Sequence, residues 1–134
     1  FQAEGSAPIV LGHPIEKPET FATAIRIGNP ASWKSAEAAR DESGGFIDIV
    51  TEAEIAAAYQ KVANSEGIFC EPASAASIAG LIKSAKAGKV EKGKTAVCIL
   101  TGHGLKDPDS AIKYGAKPVE VKSTIEAILK EIAL

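Results

Sequence analysis

The chain has 134 residues, 46% of them hydrophobic, which is enough material for one domain with its own core. Its formal charge of −2, from 15 basic and 17 acidic residues, argues against a polycationic surface for nucleic acid or anionic membrane. One Trp, two Tyr and four Phe make a poor base-stacking platform, and no apolar run reaches the ~18 residues that a membrane span needs.

The chain contains no Met and opens on Phe1-Gln-Ala-Glu-Gly5, so we expect a piece of a longer polypeptide. Ala7-Pro-Ile-Val-Leu-Gly12 reads as a helical turn, with Pro8 suited to its start and Gly12 to its end. His13-Pro14 and Lys17-Pro18 impose an extended, turn-rich passage. Residues 19–28 are apolar but lack clean periodicity. Small residues ending at Gly28 can press backbone against another chain or a flat ligand, although packing filler is the plainer reading. Asn29-Pro30 then opens a helix expected over 31–43, which Gly44-Gly45 ends.

Residues 46–50 read as a short strand. Thr51-Glu-Ala-Glu54 is a capping box, with Thr51 as N-cap and Glu54 at the third helical position. The helix it opens carries Ile55, Ala58, Tyr59 and Val62 on one stripe to Asn64 or Ser65, and Gly67 closes it. Ile68-Phe-Cys70 is a second short strand, and Pro72 suits the first turn of a helix reaching about Ala87. The early face of that helix is almost all Ala and Ser, which allows close approach to a neighbour. Residues 86–94 form a basic, Gly-containing loop read as solvated surface.

Residues 95–100 are mostly apolar without polar alternation, the pattern of a strand buried on both faces. The run stops at Thr101-Gly-His-Gly104, which places a hydroxyl and open backbone at the strand's carboxyl end, where open α/β sheets bind ligands. A short helix over 109–114 and an extended segment over 118–121 follow. Ser123-Thr-Ile-Glu126 is a second capping box, opening a terminal helix to Ala133 with Ile125, Ile128, Leu129 and Ile132 inside. Strand–helix–strand–helix–strand over 46–100 implies two right-handed crossovers. The expected class is α/β, a partial parallel sheet flanked by helices.

Chemistry-bearing groups are few. Cys70 and Cys98 lie in apolar strand-like runs with no CxxC or Cys/His cluster, so they read as buried reduced thiols of a cytoplasmic protein, with no metal site. His13, before a proline, reads as surface. His103 stands between two glycines at the ligand edge and is a candidate ligand contact. Glu71 projects near the same edge as Thr101, or caps the following helix with its charge. There is no nucleophile–base pair, metal set or phosphate loop of recognised spacing, and Gly102-His-Gly104 lacks the helix and spacing of a dinucleotide fingerprint. On residue chemistry alone, the chain holds half of a site.

Three blocks carry a family resemblance: Pro18-Glu-Thr-Phe-Ala-Thr-Ala-Ile-Arg-Ile-Gly-Asn-Pro-Ala-Ser-Trp33, Gly67-Ile-Phe-Cys-Glu-Pro-Ala-Ser-Ala-Ala-Ser77 and Leu100-Thr-Gly-His-Gly-Leu-Lys-Asp-Pro108. In this order they resemble the last third of threonine synthase, a pyridoxal-phosphate enzyme of the tryptophan-synthase-β fold group (fold type II). The resemblance implies that residues 1–134 are the C-terminal portion of the large catalytic domain of a carbon–oxygen lyase. That enzyme converts O-phospho-L-homoserine and water to L-threonine and phosphate, as a cytoplasmic homodimer in its full-length form. It further implies that the Thr101 hydroxyl bonds the cofactor's pyridine nitrogen and that Gly102 lets backbone lie near the ring edge. Ala24, in the Thr23-Ala-Ile25 run, would cover a ring face, and Glu71 would sit at the rim.

The same comparison places the Schiff-base lysine and the phosphate-binding loop upstream of Phe1, so no catalytic residue is assigned here and the isolated chain is expected to be inactive. Two competing readings are a threonine or serine dehydratase, disfavoured by Arg26-Ile-Gly-Asn-Pro-Ala-Ser-Trp33, and a non-catalytic small-molecule-binding α/β module.

Overall fold

The computed structural model describes residues 1–132. In chain order the elements are β1 (Gln2–Ala3), α1 (Pro8–Leu11), a 3-10 turn (Thr23–Ile25), α2 (Trp33–Ser43) and β2 (Ile49–Val50). They are followed by α3 (Glu52–Glu66), α4 (Pro72–Lys86), a second 3-10 turn (Gly104–Lys106), α5 (Pro108–Tyr114) and α6 (Ile125–Glu131). The class is α/β, as expected.

The core is built where α3 lies on α4. The Thr51 hydroxyl accepts from the Glu54 N–H at 3.1 Å, and the Glu54 carboxylate accepts from the Thr51 N–H at 2.8 Å, so the capping box forms in full. The expected stripe of Ile55, Ala58, Tyr59 and Val62 is the buried face of α3. It meets Ala73, Ala75, Ala76 and Ala79 of α4, whose short side chains bring the two helices together. Gly12, Gly44 and Gly67 end α1, α2 and α3 as expected.

The sheet differs from expectation. It has two parallel strands, with Gln2 opposite Ile49 and Ala3 opposite Val50. β1 carried no strand signal, being two residues long, and the strand expected over 46–50 shrinks to its last two. Residues 68–70 form no ladder strand; Cys70 makes a single antiparallel bridge to His103. The two crossovers over 46–100 are therefore not formed. Residues 95–100 are neither a strand nor buried, with Val97 84% and Ile99 72% exposed. A strand exists only through its neighbours, and no described residue offers this run a backbone ladder. Its hydrogen bonds go instead to Ser77, through Ile99 O at 3.4 Å and Cys98 Sγ at 3.9 Å.

Other boundaries also move. α2 starts at Trp33 behind Ser32, leaving Pro30 outside it. α5 starts at Pro108 with Asp107 as N-cap, accepting from the Ser110 N–H at 3.1 Å. The second capping box fails because the N-cap is Thr124, not Ser123, which puts Ala127 rather than Glu126 at the third position. Ile125, Ile128, Leu129 and Ile132 are exposed rather than inside. The expected end of that helix, Ala133, lies outside the described residues. Residues 118–121 are exposed and form no strand.

Candidate functional site

Two backbone bonds bring the glycine-rich loop against the start of α4. Glu71 N–H donates to Gly102 O, and Gly104 N–H donates to Phe69 O, each at 3.0 Å. The loop thus folds back antiparallel on residues 69–71. Two glycines make that approach possible. A Cβ on Gly102 would overlap the Glu71 carboxylate, and one on Gly104 would overlap the Phe69 ring.

Glu71 is buried, 3% exposed, although it is the N-cap of α4. Its side chain makes no capping bond there. The carboxylate turns to Gly102, and its Oε1 pairs with Lys106 Nζ at 3.6 Å, the lysine side chain being 61% exposed. A carboxylate removed from water needs such a partner, so the pair ties the second 3-10 turn to the start of α4. His103 caps the turn that follows it. Its Nδ1 accepts from the Leu105 N–H at 3.2 Å, and its ring stands edge-on to Phe69. His13 is exposed, donating from Nδ1 to Pro14 O at 3.0 Å, as its surface reading requires.

Thr101 is exposed at the rim shared by two grooves. One, of about 510 Å³, is lined by Ile25, Ala73, Ser74, Val97 and Ile99, among others. The other, of about 310 Å³, runs past Phe69, Leu100 and His103. Behind Thr101 lies Ser74, 2% exposed, in the first turn of α4. Ser74 Oγ accepts from the Gly102 N–H at 2.9 Å and lies 3.3 Å from Thr101 Oγ1.

Ala24 sits on the exposed 3-10 turn and lines neither groove; its neighbour Ile25 lines the larger one. That turn is braced from three sides. Ser6 Oγ accepts from the Ile27 N–H and donates to Ile25 O, both at 2.9 Å. Glu52 accepts from the Phe21 N–H at 2.9 Å, and Thr23 Oγ1 donates to Asp107 at 3.4 Å. The fold therefore gathers Glu71, Thr101 and Gly102 at one place and leaves Ala24 on an adjoining surface that packs against α4.

Ser74, Ser6 and Asp107 were not singled out from the sequence as site residues. Only Asp107 carried a signal, the Asp-Pro pair of an N-cap followed by a first-turn proline. Of the cysteines, Cys70 is buried and free, and burial pushes its thiol above the ordinary range. Cys98 is free but half-buried, in partial contrast to the expectation that both were enclosed.

The Thr101 hydroxyl thus stands at a groove beside a loop that needs glycine. The chain belongs to the pyridoxal-phosphate dependent enzyme family, whose model matches residues 1–102. Among curated relatives it is 54% identical to the threonine synthase of Bacillus sp. (strain ULM1), over 98% of this chain and 38% of that protein. It is 59% identical to that of Mycobacterium tuberculosis (strain H37Rv), over 95% of this chain and 36% of the relative. It is 46% identical to that of Methanocaldococcus jannaschii, over 98% and 35%. The chain thus spans a little over a third of the length of the relatives it matches.

The residues present fit one edge of the family's cofactor. The larger groove is lined by apolar side chains, serines and Thr101, with no Lys, Arg, His, Asp or Glu. Such a lining accommodates a flat heteroaromatic edge with one hydrogen-bonding atom. Its lining side chains provide no cation for a phosphate.

Proposed function

We propose that this chain is the C-terminal portion, residues 1–134, of the large catalytic domain of a threonine synthase. The full-length protein converts O-phospho-L-homoserine and water to L-threonine and phosphate, as a carbon–oxygen lyase acting as a cytoplasmic homodimer. The observation that carries the reading is the Thr101 hydroxyl, exposed at a neutral groove in a chain 46% to 59% identical to threonine synthases over nearly its whole length.

Pyridoxal phosphate, when bound, supplies an electron sink for the substrate's carbon skeleton. The work of this chain is to hold the ring and shape its surroundings. Thr101 meets the ring nitrogen with a neutral hydroxyl, which cannot keep that nitrogen protonated as a carboxylate would, so the sink is a mild one. Gly102 keeps the backbone near the ring edge free of side-chain bulk. Ala24, on the 3-10 turn beside Ile25, would cover one ring face only from outside the groove that Ile25 lines. Glu71, turned to Gly102 and paired with Lys106, fixes the loop at the rim. The amine that bonds covalently to the cofactor and the phosphate-binding loop come from the remainder of the protein, so the 134 residues alone form no threonine.

The test is made on the full-length protein, following phosphate and threonine formation from O-phospho-L-homoserine. Thr101→Ala is expected to retain the cofactor, shift its absorbance and slow turnover by about tenfold, the worth of one hydrogen bond at the reacting ring. An unchanged Thr101→Ala enzyme, or ammonia release from threonine without phosphate release, overturns the reading. Tight cofactor binding by the 134-residue chain alone also counts against it, since that outcome belongs to a self-sufficient binding module.

A further inference from the structure

We infer that Ser74 is a positioning residue that sets which way the Thr101 hydroxyl points its proton; the inference rests on the reading that Thr101 meets the ring nitrogen. A serine hydroxyl has one proton and two lone pairs. The Gly102 N–H, at 2.9 Å, occupies one lone pair of Ser74 Oγ and pins its rotamer. The Ser74 proton then has two acceptors within reach, Thr101 Oγ1 and Gly102 O, both at 3.3 Å.

These acceptors are not equivalent. Gly102 O already accepts from the Glu71 N–H at 3.0 Å, which leaves it one lone pair for Ser74. Thr101 Oγ1 has no other hydrogen-bond partner among the described residues. Ser74 is 2% exposed, so its proton is directed chiefly to protein acceptors. Donation to Thr101 satisfies both hydroxyls and leaves the Thr101 proton directed outward. The groove is then offered a donor, which recognises an unprotonated ring nitrogen and disfavours a protonated one.

The Ser74 backbone is fixed independently, its N–H donating to Glu71 O at 3.0 Å and its carbonyl accepting from Ser77 Oγ at 2.9 Å. Removing the hydroxyl therefore changes the donor to Thr101 and the acceptor for Gly102 without displacing α4. Nothing in Ser74's position in the first turn of α4 requires a hydroxyl for capping, since the N-cap is Glu71.

The experiment uses the full-length holoprotein loaded with pyridoxal phosphate labelled with nitrogen-15 in the ring, and reads the ring-nitrogen resonance and the cofactor Kd. Ser74→Ala is expected to move the resonance downfield, as a pyridine nitrogen moves when it loses an accepted hydrogen bond, and to weaken cofactor binding by about tenfold. Thr101→Ala should give a shift in the same direction, and the double variant should add little to either single one. A Ser74→Ala protein that melts earlier while its ring nitrogen and Kd stay put would show a merely structural serine and overturn the inference. Where Thr101→Ala moves the resonance and Ser74→Ala does not, the Ser74 assignment fails alone. Where neither moves it, the reading of Thr101 fails and takes this assignment with it. Ser74→Cys keeps the side chain's size with only a weak donor, and carries the same outcomes should the alanine variant not fold.

Discussion

Gly102 and Glu71 share a volume that only one side chain can occupy. A methyl group at position 102 overlaps the Glu71 carboxylate, itself buried and paired with Lys106. Gly102→Ala is therefore expected to destabilise the full-length protein by about 1–3 kcal/mol, read as a fall in its urea midpoint, because a buried charge must move or lose its partner. Shortening the obstructing side chain as well, in Gly102→Ala with Glu71→Ala, should cost less than the sum of the two single changes. Strict additivity would mean that the overlap is relieved elsewhere. Thr101, Gly102 and Glu71 were legible as candidates because each stands at a strand-like or helical end in a short block. Ser74 was not, since its partners lie 27 and 28 residues away and no local pattern announces them. Ser6 braces Ile25 and Ile27 across a similar span of chain.

The strands that need distant partners did not form as expected, whereas the locally specified helices did, α3 in full and α2, α5 and α6 with starts moved by one or two residues. α3 has its start, stripe and stop within about 17 residues of chain, and all three appear. Its helical hydrogen bonds and its cap are local, so nothing remote could overrule them. Thr51→Ala removes the acceptor for the Glu54 N–H at the start of a helix that supplies much of the core. It should cost about 1 kcal/mol, seen as a drop of several degrees in Tm. Thr124→Ala removes the corresponding bond from α6, whose apolar residues are exposed, and should leave global stability nearly unchanged. Equal losses at the two caps would contradict this division of the molecule into a load-carrying helix pair and an appended helix.

Across the whole molecule, the least expected feature is the run over 95–100, apolar yet largely exposed. Val97 and Ile99 present bare hydrocarbon beside backbone groups that no ladder occupies, the combination that promotes edge-to-edge association. The 134-residue chain is expected to self-associate with increasing concentration, measured by sedimentation. Ile99→Lys should suppress that association without altering far-UV circular dichroism. A wild-type chain that stays monomeric throughout the micromolar range would refute the expectation.

The presence of the helices, the start, stop and apolar stripe of α3, the α/β class and the three blocks tying the chain to a pyridoxal-phosphate family could all be read from residue order, because each depends on groups a few positions apart. Which strands pair, which apolar runs are covered, and how a buried serine orients an exposed threonine could not. Those outcomes depend on groups brought together from far along the chain, and a hydrogen bond or buried contact of that kind has no signature until both sides are in place.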